Sequence, residues 1–178
     1  MTLTDLQHDA WQIAEDKGHH KNLDLMPLRE ASMIRLALIH TEIDELYAAP
    51  TRQVEAVADE CADICIRLLD FLQTLGLPLE PALTRMDGTA MHYERYQTLL
   101  ACFALHRYTC NLTQAMKRRG PKEGADHIAY YSVCLWRAVE DIAVTWDIDL
   151  LVAIQAKMAV NRTRPYQYGT PMEEQRHA

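Results

Sequence analysis

The sequence has no apolar run approaching the ~20 residues that a helix needs to cross a bilayer. Alternating runs of Val, Ile and Thr are also missing, so no strand is expected. Glycine and proline are scarce, six and seven residues in 178, and they fall at breaks between helical stretches. Dense positive charge is lacking too. The net charge is -7, the pI is about 5.6, and the densest basic run is KRRGPK at 117–122. A footprint for a nucleic-acid polymer is therefore excluded as an expectation. The N-terminal MTLTDLQHDAWQIAEDKG lacks the basic start and apolar core of a signal peptide. An odd count of five cysteines, each in an apolar helical context, predicts reduced, buried thiols in a cytoplasmic protein. Cys61 and Cys65 share a helix face, but no histidine or second cysteine pair completes a zinc site.

What remains is a chain that is 49% hydrophobic and 24% charged, with helical periodicity throughout. The spacing predicts helices over about 4–17, 27–48, 52–75, a short one from Pro78, then 90–118, 126–145 and 150–162. Gly18 and Gly76 are read as helix ends, "AAPT" as a tight turn at Pro50, and "DG" at 87–88 as a break. Gly120-Pro121 should end the 90–118 helix, and Asp149 should cap the last one. The expected fold is an all-α bundle in one domain, 1–178.

Acids stand out in two places. Glu42 and Glu45 in "IHTEIDEL" are three apart and share a face, as do Glu60 and Asp63 in "ADECADI". The short connection around Pro50 makes the two helices antiparallel neighbours. Folding about Pro50 sets Glu42 level with residue 58, about 3 Å of rise from Glu60. The helices carry apolar stripes: Leu36, Ile39, Ile43, Leu46 and Tyr47 on one, Val57, Cys61, Ile64, Leu68 and Leu72 on the other. Four carboxylates converging in a dry place repel one another, and an oxygen-seeking cation such as Mg²⁺ or Mn²⁺ resolves that conflict. The alternative is that Asp59, Glu60, Asp63, Arg67 and Asp70 line a solvated face. A di-iron centre would need Glu-x-x-His on two helices, and none occurs. His40, two residues before Glu42, points elsewhere and reads as a packing residue or one that supports a ligand from behind, not as a ligand itself.

These segments resemble a known family. "LALIHTEIDEL" followed by "VADECADICIRLLDF" is similar to the Glu-x-x-Glu … Glu-x-x-Asp signature of the all-α nucleoside triphosphate pyrophosphohydrolases, the MazG-like superfamily that includes dimeric dUTPases and dCTPases. "DIDLLVAIQAKMAVNRTRPYQYG" (147–169) resembles the family's closing Lys-x-x-x-Asn-x-x-Arg-Pro-Tyr segment with a glycine after it, and "AEDKG" resembles its start. The resemblance implies that Glu42, Glu45, Glu60 and Asp63 are metal ligands, one serving as general base. It also implies that Lys157, Asn161, Arg164 and Tyr166 contact the substrate. The implied reaction is Mg²⁺-dependent attack of water on the α-phosphorus of a nucleoside triphosphate, giving monophosphate and pyrophosphate. The implied assembly is a homodimer. Trp11, His19 and His20 are further candidates for base or sugar contact. A non-catalytic nucleotide-binding relative is the other reading, and a solvated basic helix end is the plain reading of Lys157, Asn161 and Arg164.

The chain departs from the simple family pattern by about 70 extra residues between the acidic hairpin and the closing motif, and a faint repeat accounts for them. "LGLPLEPAL" (75–83) and "WDIDLLVAI" (146–154) align at an offset of 71, and "LIHTEIDEL" aligns with "YTCNLTQAM" at an offset near 69. In the second copy Asn111 and Gln114 stand for Glu42 and Glu45. Tyr130 or Tyr131 stands for Glu60, and Val133 or Cys134 for Asp63. In the first copy Met86 and Ala90 stand where Lys157 and Asn161 stand in the second. The acidic half is about 1–88 and the degenerate half about 89–178. Each keeps what the other has lost.

Overall fold

Helix ends follow local chemistry. In the computed structural model, which describes residues 2–49, 53–86 and 98–166 with the side chains of 98 and 99 left aside, α1 spans Leu3–Asp16. Thr2 starts it: its hydroxyl accepts from the Asp5 amide at 3.1 Å, and the Asp5 carboxylate accepts from the Thr2 amide at 2.7 Å. The helix α2 (Leu28–Ala48) begins directly after Pro27, whose fixed φ suits a helix start. Next come α3 (Val54–Leu75) and the short α4 (Leu79–Arg85). Gly76, at φ 66°, turns the chain out of α3 in the left-handed region. α5 covers Thr98–Glu123, and Gly120 (φ 74°, ψ -179°) breaks its helical geometry just before Pro121. α6 is Ala125–Thr145, and α7 is Leu150–Thr163, capped by the Asp149 carboxylate on the Val152 amide at 3.0 Å. All the described elements are helices, as the periodicity predicts. The expected turn at Pro50, the break at 87–88 and the start of the 90–118 helix lie outside the described residues.

Four helices close a ring, with α2 packing on α3, α3 on α6, α6 on α5 and α5 on α2. Inside it lie Leu36, Ile39, Ile43 and Leu46 from α2, Leu68 and Phe71 from α3, and Leu135 and Trp136 from α6, all essentially fully buried. The outer helices are exchanged between hairpins. The main neighbour of α7 is α3, and that of α4 is α6, while α1 leans on α3, α4 and α7. The last helix is thus carried across to the α2–α3 hairpin. No helix among the described residues is long and apolar enough to cross a membrane.

Two expectations about burial need correction. Tyr47 does not join the α2 stripe: it is 51% exposed, while Leu46 and Ala49 on either side of it are fully buried and carry the stripe to the end of the helix. Only Cys61, Cys65 and Cys102 are buried; Cys110 is exposed and Cys134 half-buried. The latter two sit on faces of α5 and α6 that point out of the ring. Cys61 and Cys65 are core fillers, and burial pushes both thiols far above their usual range.

An added Cβ at Gly76 would meet nothing within 4 Å, so an alanine there meets only the left-handed backbone penalty. Gly76→Ala should lower the melting temperature by about 2–4 °C, the equivalent of ~1 kcal/mol in a chain of this length. An unchanged melting temperature in a thermal scan would show that the α3–α4 turn does not depend on that conformation.

Candidate functional site

The α2–α3 hairpin turns one carboxylate-bearing face of each helix toward α1 and α7. Glu42, Glu45, Glu60 and Asp63 all line one cavity of about 280 Å³, and Lys157, Asn161 and Arg164 from α7 and its C-terminal end line it with them. One chain supplies both sets. Carboxylate oxygens of Glu42, Glu60 and Asp63 lie within 4.8 Å of one another. Glu45 borders the same cavity outside that trio and is exposed.

Glu42 is only 8% exposed, and its Oε1 accepts from Arg67 Nε at 2.9 Å. Burial raises its pKa, the Arg67 charge and hydrogen bond pull it back, and the Asp63 and Glu45 charges add to the rise. Glu60 makes no ion pair among the described residues. Burial, then the charges of Glu45 and Asp63, push it up to about 7 against the opposing charge of Lys157. Its Oε2 is buried without a hydrogen-bond partner among the described residues. Asp63 Oδ2 is held by Lys157 Nζ at 2.8 Å, and the same ammonium reaches Asp59 Oδ2 at 3.3 Å. Burial works against the charge of Lys157, but its bonds to Asp63 and Asp59 outweigh it and the net pKa is raised.

Three close carboxylates with an orphaned oxygen form an all-oxygen donor set, and they suit a hard divalent cation. Arg67 and Lys157 pair with Glu42 and Asp63 and leave the Glu60 Oε2 without a hydrogen-bond partner among the described residues, so part of the repulsion is left for a ligand to relieve.

Around the acids, Ala10, Ile13 and Ala14 of α1 provide an apolar wall, and His19 closes one side. Burial, then the charges of Arg67 and His20, lower the His19 pKa, so the imidazole is neutral near pH 7. His20 faces the other way. Fully buried, it bonds Glu15 at 2.9 Å through Nδ1 and Asp70 at 2.8 Å through Nε2. Burial opposes its charge, but Asp70 and Glu15 prevail and its pKa is raised. Trp11 packs against His20 with centroids 5.4 Å apart, and neither residue lines the cavity. Tyr166 does not line it either. Its ring lies on Gly18, where a Cβ would overlap the ring. His40 stacks on His106 (centroids 5.1 Å, 16° between planes) away from the acids, as a packing residue should.

The solvated-face reading of α3 fails for most of its stripe. Asp59 is exposed, but Glu60, Asp63 and Arg67 are partly buried around the cavity and Asp70 is buried against His20. Arg67 and Asp59 are the functional neighbours that motif reading passes over. The available signal is spacing: Arg67 follows Asp63 by four and Glu60 by seven, on the same face. The chain matches no family model, no curated protein and no solved structure.

The Glu60 shift fixes a pH dependence for the metal-free protein. A pKa raised in the folded state means that, between pH 4.5 and about 7, the native state holds a proton the unfolded state has released. Stability from this group therefore falls as pH rises across that window. Glu60→Gln removes the penalty, so in chelator it should raise the melting temperature by about 3 °C or more at pH 8 and by less than about 1 °C at pH 5. Equal shifts at both values would contradict the geometry.

Proposed function

We propose that the protein is a Mg²⁺-dependent nucleoside triphosphate pyrophosphohydrolase, releasing a nucleoside monophosphate and pyrophosphate. The observation that carries the reading is the convergence on one cavity of three carboxylates within 4.8 Å of one another with Lys157, Asn161 and Arg164. That combination suits a metal–polyphosphate pair: acids for the cation, and basic and amide groups for phosphate oxygens. Glu42, Glu60 and Asp63 would hold Mg²⁺, or Mn²⁺ in its place, with Glu45 at the edge of the set. When bound, the cation supplies charge neutralisation of the phosphates and a lowered pKa for water.

The chain's own groups account for the rest. Lys157 is held at the mouth of the acid cluster by Asp63 and Asp59, and it exchanges those partners for phosphate oxygens when a polyphosphate enters. Asn161 stands one helical turn on, its buried Oδ1 without a hydrogen-bond partner among the described residues, and it offers an acceptor for a substrate hydroxyl or amine. Arg164, at the C-cap of α7, adds a fixed charge where phosphate charge accumulates. Glu45, outside the close trio, is the carboxylate positioned to take a proton from the attacking water. Ala10, Ile13 and Ala14 exclude water from one side, and neutral His19 gives a flat polar edge for a base or sugar. The exchange of α7 and α4 between hairpins supports reading the chain as a duplicated unit in which one copy keeps the acids and the other the phosphate contacts.

Purified protein with Mg²⁺ and a panel of ribo- and deoxyribonucleoside triphosphates should yield monophosphate and pyrophosphate from at least one of them. Glu60→Gln should reduce that turnover on the order of 100-fold or more while keeping the fold, as checked by circular dichroism. If no substrate gives both products, the reading is wrong.

A further inference from the structure

The repeat predicts where a second copy of the acid site would stand, and the structure has a larger hollow there. Between α5 and α6 lies a groove of about 790 Å³. Its lining includes Asn111 at the counterpart of Glu42, Tyr130 and Tyr131 at that of Glu60, and Val133 and Cys134 at that of Asp63. Met86, the counterpart of Lys157, borders it at the end of α4, as Lys157 borders the acid site from α7. Two different observations, the sequence offset and the position of the hollow, pick out the same place.

Its chemistry is reversed. Where the first site gathers carboxylates, the second gathers rings and guanidinium groups. Tyr130 and Tyr131 meet edge to face with centroids 5.1 Å apart, and Tyr108 lines the groove with them. Tyr130 is half exposed, so one face of the pair is open to a ligand. Arg107 and Arg137 supply positive charge against a single lining acid, Asp141. Arg137 is shared with Glu140 at 3.0 Å, whereas Arg107 is exposed and forms no ion pair among the described residues. Aromatic faces beside an available guanidinium recognise a planar ring that carries an anion. With one thiol and one carboxylate the groove lacks the donors to hold a divalent cation. The volume falls in the range of ~300–1,000 Å³ typical of small-molecule sites.

We propose that the α5–α6 groove is a second ligand site, which binds a nucleotide without a metal, its base on the Tyr130–Tyr131 pair and its phosphate on Arg107. The site is independent of whether the acid cluster turns over substrate, so it stands or falls on its own evidence. Calorimetric titration with nucleoside mono- and triphosphates in excess EDTA, on a Lys157→Ala/Arg164→Ala protein that lacks the basic groups of the acid cavity, separates it from the first site. Binding of at least one nucleotide is expected, weakened about tenfold or more by Arg107→Ala and by Tyr130→Ala. Both residues are exposed, and unchanged melting temperatures would confirm that the variants fold. Inorganic phosphate and uncharged nucleosides should bind much more weakly, since each offers half of the ligand. The proposal is overturned if no nucleotide binds in EDTA, or if binding is indifferent to both substitutions. Absence of turnover by the unsubstituted protein with Mg²⁺, with intact binding here, would overturn the catalytic reading alone.

Discussion

Repulsion among Glu42, Glu60 and Asp63 is the constraint around which the α1–α3 half of the molecule and α7 are arranged. Within 4.8 Å, two unit charges near a protein surface repel by roughly 3–4 kcal/mol or more, a cost that would be met three times if all three acids were ionised. The fold tolerates them through two cations from different directions. Arg67 comes from the same helix as two of the acids and takes Glu42, while Lys157 arrives on α7 and takes Asp63. Glu60 is left between them and keeps its proton to about pH 7. The docking of α7 on α3 is thus part of the electrostatics of the hairpin as well as of its packing. Removing α7 would expose the cluster and also leave it one cation short.

A second set of ionic contacts holds the far wall in place. His20, buried between Glu15 and Asp70, pins the turn after α1 to α3, and Arg35 of α2 reaches the same Asp70 at 3.4 Å. That turn carries His19 into the cavity. Gly18, at φ 77°, lets the Tyr166 ring lie on bare backbone, and Arg162 bonds Asp9 at 2.7 Å, so the end of α7 is fastened to α1 at two points. The acid site is enclosed by helices that each have their own anchor, which is how a cavity of polar groups keeps its shape without a ligand.

The helices were legible because their signals are local: 3.6-residue periodicity, Gly18 and Gly76 at the ends, Asp149 as a cap. Convergence of the two acid pairs was legible because a short hairpin leaves little freedom in register. What escaped were contacts that depend on which helix crosses which. Glu42 and Glu45 share a helix face three residues apart, yet only Glu42 enters the close trio, and sequence spacing does not encode which of the two the packing of α2 on α3 brings nearer. Tyr166 sits in a motif that suggests a substrate contact, but the bare Gly18 backbone offers its ring a closer surface than the cavity. Arg67 passed for a surface residue because its partner, Glu42, is 25 positions away in sequence.

The two hairpins also show what the charge constraint permits. The α5–α6 hairpin repeats the helix order of α2–α3, and its outer helix α4 packs on α6 as α7 packs on α3. A second carboxylate trio there would need its own pair of buried cations, yet Met86 stands where Lys157 stands in the other half. Arg137 is already engaged by Glu140 and Arg107 is exposed, so acids buried there would lack an ammonium aimed at them as Lys157 is at Asp63, and each uncompensated charge costs several kcal/mol. Asn111, Tyr130 and Tyr131 carry no charge and can line a hollow at little electrostatic cost. Met86 after α4 and the uncharged Asn111, Tyr130 and Tyr131 are what the same repulsion permits. The bundle thus holds a compact anionic cavity on the α2–α3 hairpin and a wider groove with aromatic lining on the α5–α6 hairpin.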